Sequence, residues 1–73
     1  MKIRKGIYKH YKGNKYRVIG VARQSETLEE LVIYEALYEN KLGKLWARPL
    51  PMFSEVLEIG GKKIPRFEYL GEE

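Results

Sequence analysis

Apolar and polar positions alternate with the period of β-strands along most of the chain, in short runs divided by turn-forming residues. Ile7–Tyr11 and Tyr16–Ala22 are rich in β-branched and aromatic residues. Between them, Gly13-Asn14 suits a two-residue hairpin loop, since both residues tolerate the positive φ of a primed turn. Gln24–Glu30 is a polar break in which Thr27 and Glu30 have capping-box spacing. Residues 28–45, LEELVIYEALYENKLGKL, admit two readings. Leu, Glu and Ala favour a helix ending at Gly43. Val32, Ile33, Tyr34 and Tyr38 favour a pleated surface, and the apolar positions make no clean helical stripe. The strand reading is preferred: Leu31–Tyr38, a turn over Asn40–Lys44, and a return strand Leu45–Arg48.

Pro49 biases Arg48 towards an extended conformation and ends that strand. Pro49–Glu55 (PLPMFSE) accommodates one helical turn, with Met52 and Phe53 expected on the core. A last hairpin is expected from Val56–Ile59 and Lys63–Leu70 around Gly60-Gly61. Pro65 lacks an N–H, so its strand should be an edge there or carry a bulge. The pattern predicts one all-β domain over residues 1–73. Its expected form is a small antiparallel SH3-like barrel of five or six strands with one short helical turn.

With Gly13-Asn14 as the loop, Tyr11 faces Tyr16, His10 faces Arg17 and Tyr8 faces Ile19. One face then carries Ile7, Tyr11, Tyr16 and Val18, which makes Tyr11 and Tyr16 an opposed core pair. The other carries His10, Lys12, Lys15 and Arg17, a cluster that needs a bound anion or the chain's own glutamates to offset its repulsion.

Composition sharpens this picture. The chain has 73 residues and nine aromatics (six Tyr, two Phe, one Trp) to fill a thin core. It has no cysteine, hence no disulfide and no thiolate metal site, in keeping with a reducing cytoplasm. The basic N-terminus lacks the apolar stretch of a signal peptide, and the longest apolar run, Leu31–Tyr34, is far below a membrane span. Net charge is +4, unevenly spread. Residues 1–23 hold eight Lys or Arg and no acid; residues 24–73 hold six against ten Glu. That asymmetry suggests an anionic partner for the first third, or neutralisation by the rest.

Catalysis is poorly supported. There is no Cys, no Asp and a single His, so the usual triads cannot be assembled. Neither phosphate-loop motif occurs, and no spacing suits a metal or implies a cofactor.

Four stretches in order, GIYKHYKGNKY (Gly6–Tyr16), ARQSETLEELVIYEALY (Ala22–Tyr38), LWARPLPMF (Leu45–Phe53) and PRFEYL (Pro65–Leu70), resemble a family of small bacterial and phage proteins, domain of unknown function 1653. The combination H-Y-K-G, S-E-T, L-W-x-R-P with M-F, then R-F covers nearly the whole chain. The resemblance implies a compact β-rich domain and supplies no activity. Its polar positions fall here on His10, Lys12, Ser25, Glu26, Thr27, Arg48 and Arg66, with aromatic Tyr8, Tyr34 and Trp46. A packed core alone would demand apolar types, so these positions other than Thr27, with Arg17 from the basic face, form the candidate ligand-binding set. Structural roles compete for several: Ser25 and Thr27 in a turn, Glu26 paired with Arg48 or Arg66, Trp46 half-buried. The favoured reading is a binding module for a peptide or small anionic ligand on a Trp/Tyr/Arg surface, as monomer or weak homodimer. The alternative is nucleic-acid binding by the basic hairpin.

Overall fold

The computed structural model describes residues 3–72. Its elements run β1 (Gly6–His10), β2 (Lys15–Arg23), β3 (Glu30–Ala36), β4 (Leu45–Pro49), α1 (Leu50–Phe53), β5 (Val56–Ile59), β6 (Lys62–Pro65) and β7 (Phe67–Gly71). They form a five-stranded antiparallel sheet of order β4-β3-β2-β1-β7 and a separate β5-β6 hairpin. The class is all-β with one helical turn. There are seven strands in two sheets, and among the described residues no ladder closes them into a barrel.

The sheet nevertheless curls. Its edges are β4 and β7, yet the Arg48 guanidinium of β4 lies 5.6 Å from the centroid of the Phe67 ring of β7. Strand twist and a bulge at Ile19, between the Val18–Tyr34 and Gly20–Ile33 pairs, drive the curvature. Tyr8, Val18, Val32, Tyr34, Leu50, Phe53 and Phe67 form the buried core, with Ile3, Tyr16, Trp46 and Tyr69 packed against it.

Segment 28–45 resolves as strand, turn, strand. β3 ends at Ala36, where the Ala36 N–H donates to the Lys44 carbonyl (2.8 Å) and opens the turn. In α1, Pro51 sits in the first turn, where no N–H is required. Phe53 is 1% exposed and stacks flat on Phe67 at 4.1 Å. Met52, expected on the core, is 49% exposed; a single helical turn can bury only one side, and Leu50 and Phe53 occupy it.

The first hairpin differs in register from the sequence expectation. Tyr8 pairs with Tyr16 and Lys9 with Lys15. The loop is Tyr11-Lys12-Gly13, closed by His10 N–H to the Asn14 carbonyl (2.8 Å) and Gly13 N–H to the His10 carbonyl (2.7 Å). This three-residue loop needs positive φ at one position only, met by Gly13 (φ 113°), while Asn14 stays out of that region. The offset moves Tyr8 into the core, at 6% exposed, and Tyr11 out to 37%. It also divides the expected basic face, because His10 shares the inner side with Tyr8 while Lys15 and Arg17 take the outer side.

The Gly60-Gly61 turn forms as expected, with both residues at positive φ and Ile59 paired to Lys62. The long strand Lys63–Leu70 does not. It breaks at Arg66, so β6 stays with β5 and β7 crosses to pair with β1. Pro65 is the last residue of β6, where a missing donor costs least.

Candidate functional site

The curl brings residues from distant parts of the chain to the mouth between the two sheet edges. Tyr34 on β3, Trp46 and Arg48 on β4, His10 on β1 and Phe67 on β7 share the inner side. The aromatic floor is continuous. Tyr34 meets Tyr16 edge-on at 5.2 Å and Phe67 at 5.6 Å, while Tyr16 meets Phe67 at 5.7 Å and Tyr38 at 5.5 Å. The Tyr16 and Tyr38 hydroxyls are hydrogen-bonded at 2.8 Å, and Asn40 Nδ2 donates to the Tyr38 hydroxyl (3.1 Å). Burial, then that bond, pushes the Tyr16 phenol well above its ordinary range. Trp46 is half-buried at the rim, its Nε1 donating to the Gly43 carbonyl (3.1 Å).

Three cationic side chains bring their charge to His10 at this mouth, and of these Arg48 stands over the floor. Arg48 Nε donates to the Tyr34 hydroxyl (3.3 Å), and among the described residues no carboxylate pairs with its guanidinium. Arg66 Nη2 binds Glu55 Oε1 at 2.8 Å, while its buried Nε has no hydrogen-bond partner. Lys12 lies on the Tyr11 side of His10, its Nζ 5.8 Å from the Tyr11 ring centroid.

His10 sits among them. Its ring packs on Tyr11 (4.7 Å) and edge-on to Phe67 (4.9 Å), and its Nδ1 accepts the Lys12 backbone N–H (3.2 Å). Burial, followed by the charges of Arg48, Arg66 and Lys12, lowers its pKa below the usual histidine value. The ring is therefore neutral near pH 7, and because Nδ1 accepts, its proton is on Nε2. The mouth thus offers guanidinium and imidazole donors around an apolar floor, a chemistry suited to a planar oxyanion.

Other candidates lie elsewhere. Tyr8 is core, its hydroxyl donating to the Arg4 carbonyl (2.8 Å). Arg17 is on the outer side, paired with Glu35 at 3.1 Å, and Glu35 also meets Lys44 at 3.7 Å. Ser25 and Glu26 belong to the β2–β3 turn. There the Gln24 side-chain oxygen accepts the Glu26 and Thr27 N–H groups, and Thr27 Oγ1 accepts the Glu29 N–H (3.2 Å). Thr27 is thus a turn residue and caps no helix. Glu26 pairs with neither Arg48 nor Arg66: Glu55 takes Arg66, and the turn holds Glu26 at the far end of the β2–β3 ladder.

Phe67, Tyr16, Tyr38 and Glu55 were not singled out by sequence as residues of a site, Tyr16 being expected only as core. The R-F pair held a signal for Phe67, since that aromatic follows a strand-breaking proline and arginine. Nothing local marked Glu55 as the partner of Arg66. Among the described residues no group of three or more His, Cys, Asp or Glu could hold a metal ion, and no helix is long and apolar enough to cross a membrane.

A family model described as Protein of unknown function (DUF1653) matches residues 6–69. The chain is also similar to a protein of known crystal structure from Bordetella bronchiseptica, described as belonging to DUF1653. The two share 38% identity over 97% of this chain and 91% of that one, with a TM-score of 0.91. No curated protein matches the chain.

Proposed function

This chain belongs to the DUF1653 family of unknown function, and from that premise we propose that it is a binding domain for an anionic group, held at the mouth by Arg48, Arg66 and His10. The carrying observation is the Arg48 guanidinium, set over Phe67 and Tyr34 with no carboxylate partner among the described residues. A half-buried cation without a counter-ion is left with unused attraction for one. The unpartnered Arg66 Nε supports the same reading. Trp46 and Tyr34 supply apolar contact beside the charge. Tyr8 in the core, Arg17 on the outer side and Ser25 and Glu26 in the β2–β3 turn lie apart from this set, and Lys12 stays at its border. The reading takes residues 1–73 as one cytoplasmic domain, a monomer or weak homodimer, supported by its one hydrophobic cluster and absent cysteine.

The test is an NMR titration of the ¹⁵N-labelled protein with inorganic phosphate and with acetate at low salt. Saturable shifts at His10, Arg48 and Arg66 are expected, lost in Arg48→Gln. Shifts spread over all surface lysines, or unaffected by Arg48→Gln, would remove the reading.

A second reading places nucleic acid on the outer side of β1 and β2, where Lys9 and Lys15 are directly opposed. Its weakness is that acids interleave there: Arg17 with Glu35, and Glu68 across from Lys9.

A further inference from the structure

β4 is an edge of the five-stranded sheet, and its ladder to β3 is regular from Leu31–Pro49 to Glu35–Leu45. The other edge is interrupted, since the β1–β7 register shifts between Ile7 and Tyr8. Antiparallel ladders alternate, so the residues whose backbone groups face the neighbour are known once one bond is fixed. The Ala36 N–H to Lys44 carbonyl bond fixes it. Lys44, Trp46 and Arg48 turn their backbone groups towards β3; Leu45, Ala47 and Pro49 turn theirs away. Pro49 gives an independent check, because a proline in a strand belongs where its missing N–H would face outward. The free edge therefore presents the N–H and carbonyl of Leu45 and of Ala47, while the Pro49 carbonyl, at the N-cap of α1, accepts the first bond of that turn.

Side chains alternate across the same strand. Trp46 and Arg48 face the inner side, above the mouth, and Leu45 and Ala47 face the outer side, Leu45 at 64% exposed. We propose that the partner of the mouth is an extended acidic peptide that adds as a strand to the β4 edge. An apolar side chain of that peptide would lie beside Trp46 and a carboxylate on Arg48. The backbone ladder provides affinity and the alternating side chains provide selection. Charge complementarity chooses this occupant: Arg48 and the neighbouring Arg66 and Lys12 are cationic, and among the described residues Glu55 is the acid paired with them. A small anion would use the charge and leave the edge unpaired. This inference rests on the anion-binding reading above and adds the identity of the partner.

The probe is an acetylated, amidated peptide with threonine at every second position and valine and glutamate taking turns at the positions between, so that one face of the strand carries both, with its lysine-for-glutamate counterpart as control, titrated into the ¹⁵N-labelled full chain. The Leu45 and Ala47 amides are expected to shift and to gain protection from solvent exchange with the acidic peptide only. Arg48→Gln should weaken binding by about tenfold, the loss of one charge-assisted bond. Arg48→Glu should reverse the preference to the lysine peptide. Ala47→Pro, checked for native amide dispersion, should lose the peptide and keep the phosphate response; if it fails to fold, the Arg48→Glu reversal decides alone. Phosphate shifts at Arg48 without peptide shifts at Leu45 and Ala47 would overturn the peptide and leave the anion reading. Loss of both responses would overturn both. Protection of Leu45 and Ala47 that rises with protein concentration alone would assign the edge to a second copy and overturn the peptide.

Discussion

His10 places its imidazole between the Tyr11 and Phe67 rings, with Nδ1 committed to the Lys12 N–H. Burial disfavours the charged ring, and protonation would also set a cation beside Arg48, Arg66 and Lys12, so the folded-state pKa lies below the ~6.5 of an unstructured histidine. Above that ordinary value both states are neutral and the stability is fully present. As the pH falls the unfolded chain takes up the proton first, and stability is lost until the pH has passed below the folded-state value. Urea midpoints at pH 7.5 and pH 5.5 should therefore differ more in the wild type than in His10→Asn, whose short amide can keep the turn bond without titrating. An equal drop in both would assign the effect to carboxylates. A bound anion should raise the pKa of His10, which ¹H–¹³C imidazole shifts would follow. At this scale residue types were legible and their partners were not. Arg48 and Arg66 stood out as polar positions, but Glu55 in place of Glu26 depends on contacts between segments far apart in sequence.

Elements form where local chemistry and burial agree. The Gly60-Gly61 turn was readable because a two-residue loop with both positions at positive φ leaves few alternatives. The first hairpin was not, since Gly13 satisfies either a two-residue or a three-residue loop and burial of Tyr8 decides between them. The β2–β3 turn holds the one non-glycine residue at positive φ among those described, Leu28 (φ 63°), 62% exposed. A leucine there costs about 1 kcal/mol or more in backbone strain, and asparagine tolerates the region better. Leu28→Asn should raise stability by about 0.5–1 kcal/mol in urea unfolding, since little burial is lost. α1 is the opposite case. Its four residues have almost no intrinsic stability, and Phe53 on Phe67 and Tyr8 (ring centroids 5.3 Å) anchors it. Phe53→Ala should cost roughly 3–5 kcal/mol, a large share of a small domain's total, and show as a collapse of the thermal transition by circular dichroism.

At the scale of the whole molecule, the class was legible from short alternating runs, while closure was not. Whether β7 continues the hairpin with β5 or crosses to β1 is decided at Arg66, by pairing across nearly the full length of the chain. The charge asymmetry was legible in the same limited way. Eight cations in residues 1–23 suggested a basic strip, but folding sets acids from the rest of the chain among them. Glu35 holds Arg17, Glu68 opposes Lys9, Glu30 opposes Arg23, and Arg23 Nη1 donates to the Leu28 carbonyl (3.0 Å). A free strip of Lys9, Lys12, Lys15, Arg17 and Arg23 neutralising about five phosphates of a single strand would give a log–log salt slope near −3.5. Affinity would then fall roughly a hundredfold between ~50 and ~200 mM salt. With acids set beside Lys9, Arg17 and Arg23, the wild-type chain should show no micromolar binding of labelled single-stranded DNA or RNA by fluorescence polarisation, even at the lower salt. Glu35→Gln combined with Glu68→Gln removes the acids beside Arg17 and Lys9 and should bring in binding with a steep salt slope. Micromolar wild-type binding with a slope near that of the free strip would instead make the hairpin, and not the mouth, the principal anionic contact of this protein.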